Sequence, residues 1–151
     1  MSDEKILIVE DESIVAMALE HKLLDLGYEI VDTVDNGEDA VKCAIQLKPD
    51  LILMDIILKG KVNGIEAAKQ IKDKLDVPII YLTAYSPNEL VERASIDKPH
   101  EYLIKPFKKS ELNDHIKMSL SYHKSKKIAH NKKRLSDCHG LVLARIPILK
   151  H

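Results

Sequence analysis

The sequence predicts an α/β protein whose parallel sheet is covered by helices on both faces. Short aliphatic runs alternate five times with segments of helical length over about 125 of the 151 residues. Three of the runs are continuously apolar over four residues, which is typical of strands buried on both faces of a parallel sheet. Regular alternation favours right-handed crossovers and a doubly wound sheet. The length suits one such domain.

Five aliphatic runs are the predicted strands. They are Ile6 to Val9, Ile30 to Val34, Leu51 to Met54, Ile79 to Leu82 and Tyr102 to Ile104. Pro49 precedes the third run and Pro78 opens the fourth, where a strand tolerates a residue without a backbone N–H. No predicted strand therefore has a proline in its interior, which agrees with the five strand assignments.

Five segments between and after the strands have helical length. They are residues 12–26, 37–47, 64–74, 87–97 and 109–130. In the first, an apolar stripe at helical spacing predicts the buried face; it consists of Ile14, Met17, Ala18, Leu24 and neighbouring apolar positions. Gly27 predicts the end of that helix. Ser86 before Pro87, and Ser110, are the predicted N-caps of the fourth and fifth helices.

Charge is unevenly distributed along the chain. Residues 1–122 hold 15 Lys and Arg against 23 Asp and Glu, or −8, while residues 123–151 hold 8 against 1, or +7. An acidic body is a poor surface for nucleic acid, so DNA binding is not expected. The basic run 124–134 predicts a solvated continuation of the last helix or a linker to another module. The apolar segment 141–149 suits packing on the body, addition to a sheet edge, disorder, or the altered end of a longer protein.

Other features bear on where the protein works. The longest apolar runs are far shorter than a membrane span, and the charged N-terminus is unlike a secretory signal. The two cysteines, Cys43 and Cys138, form no disulfide framework, and Cys43 is predicted to pack. His115 and His123 have no metal-ligand spacing and are predicted to be solvated. We therefore expect a soluble, cytoplasmic protein without a membrane partner.

Polar residues follow four of the predicted strands. Glu10 to Glu12 follow the first strand, Asp55 the third, Thr83 the fourth and Lys105 the fifth. The carboxyl ends of parallel strands meet at one sheet edge, where ligands bind in such folds. Clustered carboxylates repel unless a hard cation neutralises them, while a lysine and a hydroxyl suit a phosphoryl group. The pattern predicts a phosphoryl site beside a divalent metal, with Glu12 as a helix-start acid rather than a ligand.

These residues, in this order, resemble the receiver domain of two-component response regulators. Four motifs carry the resemblance: Ile6 to Glu12, Leu53 to Ile56, Leu82 to Ala84 and Tyr102 to Phe107. The resemblance covers residues 1–122 and implies a flavodoxin-like (βα)5 fold with strand order 2-1-3-4-5. Residues 123–151 are then a basic helical extension and tail without a second domain.

The resemblance implies a role for each matching residue. Asp55 would accept a phosphoryl group from a sensor histidine kinase or a phosphotransfer protein. Asp11 would bind Mg²⁺ or Mn²⁺ directly and Glu10 through water, with Asp55 and the backbone carbonyl of Ile57 completing the protein ligands. The chain would be a phosphoacceptor with self-catalysed phosphotransfer and dephosphorylation, not a turnover enzyme.

The resemblance also implies how the phosphorylated state is read out. Lys105 would pair with a phosphoryl oxygen, and its peptide bond to Pro106 would be cis. Thr83 would move to hydrogen-bond the phosphoryl group, and Tyr102 would change rotamer with it. The face built by the fourth helix, fifth strand and fifth helix would then contact a partner or form a homodimer.

Two departures and two rival functions accompany this interpretation. Glu10 stands where many relatives have Asp, and the loop 57–64 lacks the usual early proline but carries Lys59 and Lys61 near the site. A small Mg²⁺-dependent phosphatase would need a second Asp shortly after the nucleophile, where Ile57 stands. A flavodoxin-like nucleotide binder would need a phosphate loop after the first strand, where acids would repel phosphate.

Overall fold

The structure is a computed structural model that describes residues 4–84 and 102–125. Its strands are β1 (Lys5–Val9), β2 (Glu29–Val34), β3 (Leu51–Asp55), β4 (Ile79–Thr83) and β5 (Tyr102–Ile104). All neighbouring pairs are parallel, in the order β2-β1-β3-β4-β5. The predicted fold class and strand order are confirmed. The predicted helix 87–97 with its Ser86 cap, and the chain after 125, lie outside the described residues.

Helices cover both faces of the sheet. They are α1 (Ser13–Asp25), α2 (Gly37–Leu47), α3 (Gly64–Lys74) and a further helix over 109–125. One core cluster joins the sheet to α2 and α3, and the other joins it to α1 and helix 109–125. The predicted runs in β1, β3 and β4 are at most 9% exposed, because both sheet faces are covered.

The buried face of α1 differs from the predicted one. Ile14, Met17 and Leu24 are 84%, 57% and 60% exposed, Ala18 is exposed as well, and the buried residues are Ala16, Leu19 and Leu23. The helix carries two apolar stripes, and helical spacing places His21 and Asp25 within the stripe that we predicted. On the buried side of α1, Glu20 is half-buried but accepts a hydrogen bond from the Thr33 hydroxyl at 2.6 Å, so the burial of this stripe costs less.

The helix ends show which residues cap them. Asn36 and Asn63 accept hydrogen bonds from the backbone N–H groups of Asp39 and Glu66, at the starts of α2 and α3. Gly27, with φ 89°, follows the C-cap of α1 as predicted.

Ser110 is not the N-cap of helix 109–125, which corrects the prediction. The first intrahelical bond runs from Leu112 N–H to the Lys108 carbonyl, 3.1 Å away, so Lys108 is the cap. Glu111 reaches back and accepts from the Lys108 N–H at 3.1 Å. This side-chain contact satisfies the helix start without a serine, in the manner of half a capping box.

The structure shows the burial of Cys43, His115 and His123, for which the sequence predicted packing or exposure. Cys43 is half-buried against the core cluster beneath α2, as predicted, and burial together with Asp32 raises the pKa of its thiol. His115 and His123 are half-buried rather than solvated. His123 follows the buried Ile116 by two helical turns, which turns it toward the body, and its Nε2 lies 3.7 Å from Asp76 Oδ1.

Among residues 4–84 and 102–125, no helix combines the length and the apolar character that a bilayer crossing requires.

Candidate functional site

The strand register brings the predicted polar residues to one edge of the sheet. Val9 pairs with Met54, Asp55 with Leu82, and Thr83 with Ile104. Each partner strand therefore ends at nearly the same height. The residues that end or follow these strands share one site: Glu10, Asp11, Asp55, Thr83 and Lys105.

Lys105 joins two buried carboxylates at this edge. Its Nζ lies 2.5 Å from Glu10 Oε1 and 3.3 Å from Asp55 Oδ2. Glu10 is 2% exposed and Asp55 is 6% exposed. Buried carboxylates of this kind need a counter-charge, and Lys105 supplies it from the end of β5.

Three carboxylates form a compact oxygen cluster. Glu10, Asp11 and Asp55 each offer an oxygen, and these atoms lie within 4.8 Å of one another. Hard divalent cations such as Mg²⁺ and Mn²⁺ prefer carboxylate ligands of this kind, so the donor set fits the predicted metal. Glu12 is exposed at the N-cap of α1 and lies outside the cluster, while its N–H donates to Glu10 Oε2 at 3.2 Å.

Burial and crowding change the acidity of the cluster. Burial, the hydrogen bond with Glu10 and the charge of Glu10 raise the pKa of Asp55 from 3.8 to about 7, although Lys105 acts in the opposite direction. Burial would raise the pKa of Glu10, but its hydrogen bonds with Asp55 and Lys105 outweigh that effect and lower it. Burial and Glu10 also raise the pKa of Asp11, against the charge of Lys59. Without a metal, the cluster therefore holds a proton on Asp55 near neutral pH.

The loop after β3 is fixed closely around Asp55. The Ile57 N–H donates to Asp55 Oδ1 at 3.3 Å, and the Gly64 N–H donates to the Ile56 carbonyl at 2.8 Å. A Cβ on Gly64 would lie 2.1 Å from the Asp55 carbonyl oxygen, which is impossible without backbone movement. Gly64 is thus a site-shaping residue that our sequence reasoning missed; the asparagine cap before it was the available signal.

The remaining predicted residues lie on or directly after β4 and β5. Thr83 is the last residue of β4 and is 1% exposed. Tyr102 opens β5, pairs with Tyr81 in register and is half-buried against the core. The peptide bond between Lys105 and Pro106 is cis, as the resemblance implied.

An acidic groove borders the cluster. It has a volume of about 430 Å³ and runs between α1 and the end of β2. Six of its lining residues are acids: Glu10, Asp11, Glu20, Asp32, Asp35 and Asp39. A negatively charged groove repels phosphate compounds, so cations at its margin matter for any phosphoryl chemistry.

Two curated relatives align with most of the chain. The transcriptional regulatory protein PdtaR of Mycobacterium tuberculosis is 42% identical over 117 residues, which cover 78% of this chain and 57% of the relative. The alkaline phosphatase synthesis transcriptional regulatory protein PhoP of Bacillus subtilis is 38% identical over 120 residues, 78% of this chain and 49% of the relative. The chain thus spans about half the length of these relatives.

Solved structures share the fold and about a third of the aligned residues. The receiver domain of a modulated diguanylate cyclase from Desulfovibrio desulfuricans superposes with a TM-score of 0.74 at 37% identity, covering 83% of this chain and 99% of that one. The receiver domain of a Pseudomonas aeruginosa sensor histidine kinase, with magnesium coordinated in its active-site cleft, gives 0.71 at 32% identity, covering 80% and 99%. The response regulator receiver domain profile matches residues 6–117. The chain belongs to the response regulator receiver domain family.

Proposed function

We propose that the chain is a phosphorylation-controlled switch of a two-component system in which Asp55 accepts a phosphoryl group from a sensor histidine kinase or a phosphotransfer protein. The observation that carries the proposal is that Asp55 belongs to a cluster of three carboxylates and also contacts Lys105. The nearest oxygens of Glu10, Asp11 and Asp55 lie within 4.8 Å, and Lys105 Nζ lies 3.3 Å from Asp55. Membership of the receiver family supports the same role.

The metal in this proposal is Mg²⁺ or Mn²⁺. Asp11 and Asp55 would bind it directly, Glu10 through water, and the Ile57 backbone carbonyl would complete the protein ligands. The magnesium ion in the P. aeruginosa kinase receiver domain supports this assignment. Such a cation supplies positive charge that offsets the negative charge gathered at the phosphoryl group.

Asp55 and Lys105 have different roles in the proposed phosphotransfer step. An Asp55 carboxylate oxygen attacks phosphorus, so a P–O bond forms while the P–N bond to the donor histidine breaks and its electron pair returns to the imidazole. Lys105 stabilises the transferred oxygens from the side of β5. Because the pKa of Asp55 is raised to about 7, attack requires loss of its proton, which added positive charge promotes.

The proposed response passes from the site to the surface of β5. Thr83, at the end of β4, would hydrogen-bond the phosphoryl group, and Tyr102 would change rotamer with it. Thr83 pairs in register with Ile104, which lies two residues after Tyr102 on the same strand. This proximity supports coupling between Thr83 and Tyr102. Phosphorylation would shift a pre-existing equilibrium between two conformations rather than create a new one.

We propose that residues 1–122 form the receiver domain. The surface of this domain is suited to signal output through protein contacts. Three exposed apolar residues lie on β5 and helix 109–125: Ile104, Met118 and Tyr122 are 43%, 64% and 69% exposed. They support a partner or a homodimer on this face. The net charge of −8 favours protein contact over DNA contact for these residues. The chain would act in the cytoplasm as a phosphoacceptor with self-catalysed phosphotransfer and dephosphorylation, not as a turnover enzyme.

A mass measurement tests the proposal. The full chain is incubated with MgCl₂ and acetyl phosphate, and its intact mass is compared with that of Asp55→Asn treated identically. We expect one added phosphoryl group in the wild type and none in the variant. Equal incorporation in both proteins would contradict the assignment of Asp55, and sustained hydrolysis of a phosphomonoester would favour the phosphatase.

A further inference from the structure

The loop 56–63, which contains Lys59, passes close to the acidic cluster. β1 lies between β3 and β2 in the sheet. The loop leaves Asp55 at the end of β3, and Lys59 forms a parallel bridge with Asn36, just beyond the end of β2. To reach Asn36, the loop has to pass the end of β1. Glu10 and Asp11 lie there, and the Glu10 N–H donates to the Val34 carbonyl of β2 at 2.9 Å.

Close contacts fix the last residues of this loop against Asp55 and against the start of α2. A Cβ on Gly64 would lie 2.1 Å from the Asp55 carbonyl oxygen, and one on Gly37 would lie 2.7 Å from the Val62 carbonyl oxygen. Gly60 has a φ of +97°, a left-handed conformation that favours glycine, directly after the bridge. The backbone of Lys59 is therefore fixed at the level of Asn36, just beyond the end of β2, and its exposed side chain starts from there.

The two lysines of this loop differ in their backbone placement. The charge of Lys59 acts on Asp11, opposing the rise in the Asp11 pKa that burial and Glu10 cause. Lys61 lies two residues further on, carries the same charge and is also exposed, but it is outside the bridge. Lys105 already neutralises Glu10 and Asp55 from the other side of the cluster.

We propose that Lys59, whose backbone the Asn36 bridge fixes near the strand ends that carry the acidic cluster, is a second cation of the site and lowers the affinity of this cluster for divalent cations. This inference rests on the metal site of the proposed function. Lys59 offsets part of the negative charge of the cluster before a metal binds, and its repulsion weakens metal binding. Lys59 is thus a positioning residue that determines affinity, not a metal ligand.

The test is a titration of the full-length protein with MgCl₂, followed through the NMR amide shifts of Asp11 and Ile57. Lys59→Met removes the charge, Lys59→Arg keeps it, and Lys61→Met removes the same charge outside the bridge. We expect Lys59→Met to tighten Mg²⁺ binding by about two- to fivefold, the range of an exposed ion pair. Lys59→Arg and Lys61→Met should retain the wild-type Kd. High salt should reduce the difference between Lys59→Met and wild type.

Each other outcome overturns a distinct part of the account. Equal affinities for Lys59→Met and Lys61→Met would overturn the role of Lys59, whether both match the wild type or both are tighter. Weaker binding by Lys59→Met would overturn the direction of the effect. A wild-type protein whose Asp11 and Ile57 amides do not respond to Mg²⁺ would instead overturn the metal site of the proposed function.

Discussion

Lys105 Nζ lies 2.5 Å from Glu10 Oε1, although the two residues are 95 positions apart in the chain. Glu10 follows β1, an interior strand, and Lys105 follows β5, an edge strand of the sheet. Asp55, from β3, lies between them in the strand order and contacts the same ammonium group. One lysine thus joins the ends of three strands and offsets the charge of two buried acids.

Removal of Lys105 should destabilise the metal-free protein. In Lys105→Met, the fully buried Glu10 carboxylate loses its counter-charge. Breaking a buried pair costs about 3–5 kcal/mol, and we expect about 2 kcal/mol here because Lys105 is partly exposed and Asp55 can hold a proton. Urea unfolding in EDTA near neutral pH measures the loss.

The matched control for this prediction is Lys109→Met. Lys109 Nζ lies 3.8 Å from Asp25 Oδ2, and both side chains are largely exposed. Loss of this surface pair should change the free energy of unfolding by no more than about 0.5 kcal/mol. Equal losses in the two variants would show that the contacts of Lys105 add nothing beyond a surface ion pair.

Asp55 should make the stability of the metal-free protein depend on pH. Its pKa rises from 3.8 to about 7 on folding, so between these values the native state holds a proton that the unfolded state has lost. The contribution of Asp55 to stability therefore falls as the pH rises through this window and is constant above it. The pKa of Glu10 is lowered from its ordinary value of 4.5. Its contribution to stability therefore rises with pH, but only at pH values below about 4.5.

Asp55→Asn isolates this effect. The free energy of unfolding of the variant, minus that of the wild type, should increase by about 2–3 kcal/mol as the pH rises from about 5 to about 8. Urea unfolding of both proteins in EDTA at the two pH values measures the gain. A difference between the proteins that stays the same at both pH values would contradict the raised pKa.

Gly64 should tolerate no side chain, because the atoms that crowd it are backbone. Gly64→Ala places a Cβ 2.1 Å from the Asp55 carbonyl oxygen and 2.8 Å from Ile56 Cα. We expect a loss of about 2–3 kcal/mol in urea unfolding and a reduced rate of phosphoryl incorporation from acetyl phosphate.

Gly60→Ala is the control for crowding in the same loop. The nearest atom to its added Cβ would be a Glu38 carboxylate oxygen at 3.7 Å, so the cost comes from the left-handed backbone alone. That cost should be about 1 kcal/mol. A Gly64→Ala protein as stable as Gly60→Ala would contradict the close contact with Asp55.

The start of helix 109–125 gives a test of capping. Glu111→Ala removes the acceptor of the Lys108 N–H and should cost about 0.5–1 kcal/mol. Ser110→Ala removes no capping contact and should change the unfolding free energy by less than about 0.5 kcal/mol. The reverse order of the two losses in urea unfolding would support a serine cap instead.

Local patterns explain what the sequence could predict. Residues Ile6 to Val9 and Leu51 to Met54 are continuously apolar, so burial on both faces follows from the pattern alone. Placing Glu10, Asp55 and Lys105 together required only that parallel strands end at one edge. The cis peptide bond at Pro106 came from the resemblance and is confirmed.

Choices between alternative packings could not be predicted from local patterns. α1 has two apolar stripes, and the one that is buried depends on the sheet beneath Leu19 and Leu23. His123 faces Asp76, which is 47 positions earlier in the chain. The bridge between Lys59 and Asn36 and the contact of Gly64 with Asp55 depend on the three-dimensional path of the loop.

The most direct test locates the phosphoryl group on the chain. The wild-type protein is phosphorylated with acetyl phosphate and MgCl₂ and reduced with borohydride, which converts an aspartyl phosphate to homoserine. After digestion, fragment masses identify the position in the peptide that carries both Asp50 and Asp55. Homoserine at Asp55 alone, and its absence in Asp55→Asn, is the predicted result. Conversion at Asp11 or Asp50, or in the Asn variant, would contradict the assignment of Asp55 as the phosphoacceptor.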